Sequence, residues 1–210
     1  SDVCSSDLVL MNCEGQDCGI EAPGQSQTGD LDFSPADRWI VSQLQRVEEE
    51  MAKHFADYRF DLLAKTLYEF VWDEYCDWYL EIAKAQLATG GEAEQRATRR
   101  TLLGVLETVL RLLHPIAPFI TAELWEAVAP VIGRKNAEHI ALARYPEAQL
   151  EKVDAQADAW VQRLKAVVAE TRRLRSEMGL SPSDRVPLLT QGDSEFVAVA
   201  APLLKALARV

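Results

Sequence analysis

The stretch from residue 68 to residue 82 limits the possible folds of this chain more than any other. Its sequence, YEFVWDEYCDWYLEI, mixes aromatic and acidic side chains at helical spacing. Spacings of four, three and four residues separate Tyr68, Trp72, Tyr75 and Tyr79. These spacings align side chains along one side of a helix. Such a helix either lies deep in a bundle, the ordinary place for large rings, or holds rings at a surface where flat ligands stack.

The rest of the chain is also dominated by helical periodicity. Ser34, Pro35 and Asp37 form a helix start, because serine caps, proline suits the first turn and an acid complements the helix dipole. The aromatic helix is predicted from about residue 59 to the glycines at 90 and 91. Further helices are predicted over about 35–53, 92–113, 121–131, 154–178 and 194–209.

Helices joined by short turns predict a mainly α fold, an antiparallel helical bundle. We expect the bundle to span residues 33–150, after an N-terminal remnant and loop at 1–32. Residues 151–210 are predicted to hold a long helix and the start of a small α/β appendage, with one strand at 186–190.

The charge of the chain argues against a general polyanion binder. The formal net charge is −11 and the pI is near 4.8, whereas non-specific nucleic-acid affinity comes from neutralising phosphates. The C-terminal third still carries a local basic face, which is either a solvated helix surface or a set of contacts to nucleic-acid phosphates. Its members are Arg163, Lys165, Arg172, Arg173 and Arg175.

No catalytic or metal-binding constellation is recognisable. Cys13 and Cys18 are separated by four residues, but no second pair at ligand spacing completes a zinc site, so reduced thiols are expected. Cys76 lies inside the aromatic helix, where a small buried residue fits. None of the three histidines has an evident nucleophile partner, and no phosphate-binding glycine loop occurs.

The ends of the chain suggest a piece of a longer protein. There is no initiator methionine, and a helical pattern still runs at residue 210. No apolar run approaches the roughly 18 residues of a membrane span, and no secretory signal is readable. A cytoplasmic location is therefore expected.

Four segments resemble the anticodon-binding helical domain of class I aminoacyl-tRNA synthetases. They are VLMNCEGQDCG (9–19), ADRWI (36–40), YEFVWDEYCDWYLE (68–81) and LHPIAPFITAELW (113–125). The first segment favours the valine-specific subfamily, and the last two occur in looser form in the isoleucine and leucine enzymes. The resemblance covers about residues 9–210.

The resemblance implies a parent enzyme that attaches an amino acid to tRNA through an ATP-made aminoacyl-adenylate. In the family this chemistry belongs to a separate domain with HIGH- and KMSKS-type signatures, which do not occur here. We therefore expect no catalytic residue, cofactor or metal in this chain, with ATP bound by the parent's catalytic domain. The implied partners are tRNA-Val and the rest of the synthetase, without DNA or membrane.

In the valine enzymes the end of the CDWYLE block faces the third anticodon base, which implies Leu80 and Glu81 here. A carboxylate can accept a hydrogen bond from the exocyclic amine of cytosine while an apolar neighbour packs against the ring. Tyr79 and Arg59 are added as candidate anticodon contacts. For Glu81 the ordinary alternative is an exposed surface acid.

Two departures from the family weaken the expected tRNA binding. The stretch SDVCSSDL at 1–8 stands where the family has a W-N-x-x-R-F-like element, and we interpret it as an assembly or translation artefact. The basic C-terminal coiled-coil arm is also missing. Two alternatives stay open: the same module of an isoleucine or leucine enzyme, and a helical interaction bundle that binds no RNA.

Overall fold

A computed structural model describes residues 3–20, 29–133, 137–181 and 183–210, with side chains from residue 6 onward. Parts of two predicted loops, 21–28 and 134–136, lie outside the described residues. So does part of the suspected artefact at 1–8.

The described chain is almost entirely helical. The π-helical segment Phe70–Tyr79 joins α3 to α4, and single 3₁₀ turns occur at Ile140–Leu142 and Leu150–Lys152. The helices are α1 (Val3–Cys13), α2 (Pro35–Ala56), α3 (Phe60–Glu69), α4 (Leu80–Thr89), α5 (Glu92–Leu113), α6 (Pro118–Val131), α7 (Ala155–Glu177) and α8 (Ser194–Ala208).

The predicted start of α2 is confirmed in detail. The Ser34 hydroxyl accepts a hydrogen bond from the Asp37 amide at 3.1 Å, and the Asp37 carboxylate accepts one from the Ser34 amide at 2.9 Å. This reciprocal capping box satisfies two amides that the helix cannot pair internally. Pro35 occupies the first helical position, where it needs no donor.

Helix α5 lies at the centre of the bundle and packs against α1, α2, α4 and α6. Its contact with α6 includes a buried polar network, in which the Trp125 indole N–H donates to Glu107 Oε1 at 3.1 Å. Arg111 pairs with the same carboxylate at 2.7 Å, so the buried charge of Glu107 is compensated. The predicted helical bundle is confirmed.

The C-terminal helices belong to the same hydrophobic core. Helix α7 lies on α2, and α8 packs against α4 and α7. Asp158 fixes the α2–α7 contact by accepting hydrogen bonds from Ser42, Gln43 and Arg46. These contacts hold α7 on the bundle.

The predicted α/β appendage is wrong. The described residues contain no strand, and residues 186–190 are irregular. A strand needs a neighbour for its backbone hydrogen bonds, and here Leu189 is 94% exposed. No helix among the described residues is both long and apolar enough to cross a bilayer.

Candidate functional site

Helices α3 and α4 and the π-helical segment between them form one continuous helix from residue 60 to residue 89, which we call the rod. Phe70 and Leu80, at the two junctions, both keep helical backbone angles. A π-helix has wider turns than an α-helix. The angle between successive side chains is therefore different within the segment Phe70–Tyr79. Side chains that would share one side of an α-helix do not all share one side of the rod.

Two of the aromatic rings lie on the exposed side of the rod. Tyr68 is 63% exposed and Trp72 is 40% exposed. Their ring centroids are 6.2 Å apart and their planes differ by 4°. This stacked pair, the ring pair, offers flat apolar surface to solvent, the property required for contact with a nucleobase.

The other two rings of the predicted row point into the core. Tyr75 donates from its hydroxyl to the Leu102 carbonyl at 2.9 Å, and Tyr79 donates to the Asp37 carboxylate at 2.6 Å. Both rings are buried. The predicted row is therefore divided at the π-helical segment, and both roles foreseen for the aromatic helix, core packing and exposed rings, occur.

The predicted anticodon contacts at the start of α4 differ in exposure. Leu80 is 5% exposed and Tyr79 is fully buried, so neither presents a surface to a ligand in this conformation. Glu81 is exposed, and Lys84 pairs with it at 2.6 Å. Of these three, Glu81 is the residue whose side chain is exposed to solvent.

Arg59 lies just before the first residue of the rod, far from Glu81. Twenty-two residues of helix separate them, which at 1.5 Å per residue is about 30 Å. The Arg59 guanidinium is exposed and forms a two-point pair with Asp61, its Nη2 at 2.6 Å from Oδ2. Arg59 and Glu81 therefore do not contact the same nucleotide.

The basic residues in the first half of α7 have partners within the chain. Arg163 pairs with Asp193 at 2.6 Å, and its guanidinium carbon lies 4.2 Å from the centre of the Phe196 ring. Lys165 pairs with Glu74. Its ammonium also lies 4.6 Å from the centre of the Trp39 ring. These side chains hold α7 against its neighbours.

The basic residues in the second half of α7 are similarly engaged. Arg172 donates twice to the Leu207 carbonyl, at 2.9 and 3.1 Å. Arg173 pairs with Glu170 at 2.6 Å and with Glu177 at 2.7 Å. The side chain of Arg175 is 9% exposed and donates to the carbonyls of Arg209, Ser181 and Asp184. A phosphate contact at the predicted basic face would compete with these internal bonds.

The exposed side of the rod is acidic around the ring pair. Five carboxylates and two lysines are exposed between residues 60 and 89. They are Asp61, Glu69, Asp73, Asp77 and Glu81, with Lys65 and Lys84. Such a surface repels phosphates, and it suits nucleobase edges or cationic groups.

Sequence reasoning missed a groove between α2, α5 and the segment 144–156. Its volume is about 860 Å³, and two buried carboxyl groups of α2 line it. Burial raises the pKa of Asp37 to about 6, although hydrogen bonds from Tyr79 and Ser34 oppose the shift. Burial raises the pKa of Glu48 to about 7, against the attraction of Arg111 and Lys152. Both acids lie in register with the apolar stripe of α2, since Asp37 is three residues before Ile40 and Glu48 is four residues after Leu44. That register was the signal that could have predicted their burial.

Two of the three histidines lie beside polar side chains of other residues, and no metal-ligand cluster occurs among the described residues. His114 Nδ1 lies 2.8 Å from the Thr121 hydroxyl, which donates to the Ala117 carbonyl. His139 faces Glu126 at 3.9 Å on the surface. Within the described part of the chain no group of three His, Cys, Asp or Glu side chains could hold a metal ion.

Comparison with known protein families places most of the chain in one of them. A family model described as the anticodon-binding domain of tRNA ligase matches residues 37–190. That range contains the whole rod, the ring pair and Glu81. It also contains α7 and its basic residues.

Several curated relatives of the chain are valine–tRNA ligases of bacteria. The valine–tRNA ligase of Dechloromonas aromatica is 53% identical over 207 residues, which cover 97% of this chain and 22% of the relative. Those of Laribacter hongkongensis and Chromobacterium violaceum are 48% and 46% identical, over 90% and 97% of this chain and 20% and 21% of the relatives. The chain thus spans about a fifth of the length of these relatives.

Proposed function

This chain belongs to the family of anticodon-binding domains of tRNA ligases, and we propose that it is the anticodon-binding region of a valine–tRNA ligase. In this proposal it holds the anticodon arm of tRNA-Val. The observation that carries the proposal is its similarity, over nearly its whole length, to valine–tRNA ligases from several bacteria. This similarity favours a valine enzyme over the isoleucine and leucine enzymes that the sequence alone left open.

The exposed side of the rod supports this role physically. The ring pair can stack on unpaired bases of a loop, and Glu81 can accept a hydrogen bond from the amine of cytosine. The surrounding acids favour an approach in which bases, rather than phosphates, face the rod. Leu80 and Tyr79 are buried, so in this proposal they fix the position of Glu81 and do not contact the base themselves.

The remaining functions are proposed for the whole enzyme. ATP binding and valyl transfer would be carried out by parts of the ligase outside this chain, which itself would bind no cofactor or metal. Its partners would be tRNA-Val and those other parts, in the cytoplasm. Neither DNA nor a membrane is proposed as a partner.

A filter-binding titration with a tRNA-Val transcript tests the proposal. Binding is expected at low salt, it should weaken as salt is raised, and an unrelated tRNA should bind less tightly. Adding ATP and valine should give no aminoacylation by this chain. Equal binding of both tRNAs, or no binding of either, would remove the support for an anticodon-binding role.

A second candidate function is a helical interaction bundle that binds no RNA. The acidic exposed side of the rod and the internal pairing of the α7 basic residues favour it. It predicts no retention of tRNA at any salt concentration. The same titration therefore separates the two candidates.

A further inference from the structure

A short loop after α1 brings two cysteines together. Cys13 closes α1, and the Gln16 amide donates to its carbonyl at 3.1 Å. Gly15, at φ +71°, supplies a left-handed backbone position that other residues rarely adopt, and the chain turns back there. Cys18 therefore returns to Cys13, and the two side chains are 1% and 6% exposed.

The two thiols are direct neighbours. Cys13 Sγ donates to the Arg99 carbonyl at 3.8 Å, and Cys18 Sγ donates to the Cys13 carbonyl at 3.5 Å. The Cys18 sulfur atom therefore lies beside Cys13. Disulfide formation requires such proximity, because the S–S bond tolerates little deviation from its geometry.

The surroundings distinguish the two sulfur atoms. The neighbouring Cys13 thiol and the positive charge of Arg99 lower the pKa of Cys18, although burial opposes the shift. The Cys18 side chain and burial raise the pKa of Cys13 well above its ordinary value. Cys18 is thus the better thiolate, the form that attacks oxidants, and Cys13 remains a thiol beside it.

We propose that Cys13 and Cys18 form an oxidation site, a dithiol that hydrogen peroxide converts into a disulfide within the chain. The Cys18 thiolate attacks one peroxide oxygen, the O–O bond breaks, and hydroxide leaves and takes up a proton as water. The Cys13 sulfur then attacks the resulting sulfenic sulfur, and the hydroxyl leaves as water with the Cys13 proton. In total, two thiols lose two electrons and two protons, and peroxide becomes two waters.

The bridge would fix a segment that α5 already holds. Arg99 donates to the carbonyls of Asn12 and Asp17, and Arg100 donates to that of Gly19. The loop backbone is therefore kept in place on both sides of the two sulfur atoms. In the native chain the two cysteines are already close together, whereas in an unfolded chain the loop must first close.

Intact mass spectrometry of a Cys4→Ser, Cys76→Ser variant tests the site, because Cys13 and Cys18 are its only cysteines. After peroxide treatment and alkylation, the native variant should have lost the mass of two hydrogens and taken up no alkyl group. A reducing thiol should restore it.

Two controls exclude other chemistry. Adding Cys13→Ser or Cys18→Ser to this background should abolish the loss of two hydrogens and give oxygen uptake instead. The unsubstituted protein is oxidised with peroxide and then cleaved after Glu14. The peptides that contain Cys13 and Cys18 should stay joined by the disulfide until it is reduced. Oxygen uptake without bridging in the pair variant, bridges between chains, or both thiols still open to alkylation would each overturn the proposal.

Discussion

The hydroxyl of Tyr79, on the rod, donates a 2.6 Å hydrogen bond to the carboxylate of Asp37, in the first turn of α2. Both side chains are fully buried. Asp37 also accepts from the Ser34 amide, so one buried carboxylate joins the capping box of α2 to the end of the π-helical segment. This bond fixes the position of the rod immediately before Leu80 and Glu81.

Replacing Tyr79 by Phe tests the importance of that bond. The change removes a donor from a buried carboxylate, and we expect the free energy of unfolding to fall by about 1–3 kcal/mol. Urea denaturation at pH 7 measures it. Tyr68→Phe removes the same hydroxyl from an exposed ring and should change stability by no more than about 0.5 kcal/mol. Equal effects of the two changes would contradict this role of the bond.

Glu48 should make the protein more stable in mild acid than at neutral pH. Its folded-state pKa of about 7 exceeds the ordinary 4.5, so the folded chain binds a proton more readily than the unfolded chain between these values. The contribution of Glu48 to stability therefore falls as pH rises through this window.

We expect Glu48→Gln to be more stable than the natural chain at pH 8, by about 1–3 kcal/mol, and nearly equal to it at pH 4. Denaturant titrations at the two pH values provide the comparison. Glu49→Gln, at the exposed neighbouring position, should show no such difference. A Glu48→Gln variant that is less stable at pH 8 would mean that attraction to Arg111 and Lys152 outweighs the cost of burial.

Sequence alone predicted the helical bundle, because apolar periodicity and helix starts such as Ser34 and Pro35 depend on neighbours along the chain. The position of each ring around the rod was not predictable. The i→i+5 hydrogen bonds of the π-helical segment leave no pattern in the sequence. They nevertheless place Trp72 on the exposed side of the rod and Tyr75 on the buried side. The strand expected at 186–190 failed for a related reason, since a strand depends on a partner elsewhere.

The basic face of α7 shows a similar limit. Five cations clustered in the sequence suggested a free surface, but four of them have acceptors far along the chain, and Arg173 pairs with two acids of its own helix. Arg175, for example, is bound by three carbonyls that include that of Arg209, 34 residues away. The exposure of Glu81 could be predicted. The burial of Glu48 could have been predicted as well, because it lies four residues after Leu44 and three before Met51, but the raised pKa depends on groups elsewhere in the fold.

Trp72→Ala should weaken tRNA-Val binding without unfolding the bundle. Loss of one stacking ring costs about 1–3 kcal/mol of binding free energy, and the ring is 40% exposed. Filter binding measures the affinity, and circular dichroism checks the fold. The matched control is Phe119→Ala, which removes a 90% exposed ring on α6. Equal losses for the two variants would contradict a specific role for the ring pair.

Glu81→Gln should reduce the preference for cytosine at the third anticodon position. A carboxylate accepts from the cytosine amine, and a good base contact contributes about 1–3 kcal/mol of discrimination. The measurement compares anticodon stem-loops that carry cytosine or uracil there. Glu69→Gln is the matched control, because Glu69 is also an exposed rod carboxylate paired with a lysine. If both variants keep the preference of the natural chain, Glu81 does not read that base.

A competition experiment tests most directly the central claim that this chain binds tRNA through the anticodon arm. Labelled tRNA-Val is bound at low salt and challenged with either the tRNA-Val anticodon stem-loop or the acceptor minihelix that lacks it. We predict that the stem-loop displaces the tRNA and that the minihelix at equal concentration does not. Displacement by the minihelix alone, or by both equally, would contradict the claim.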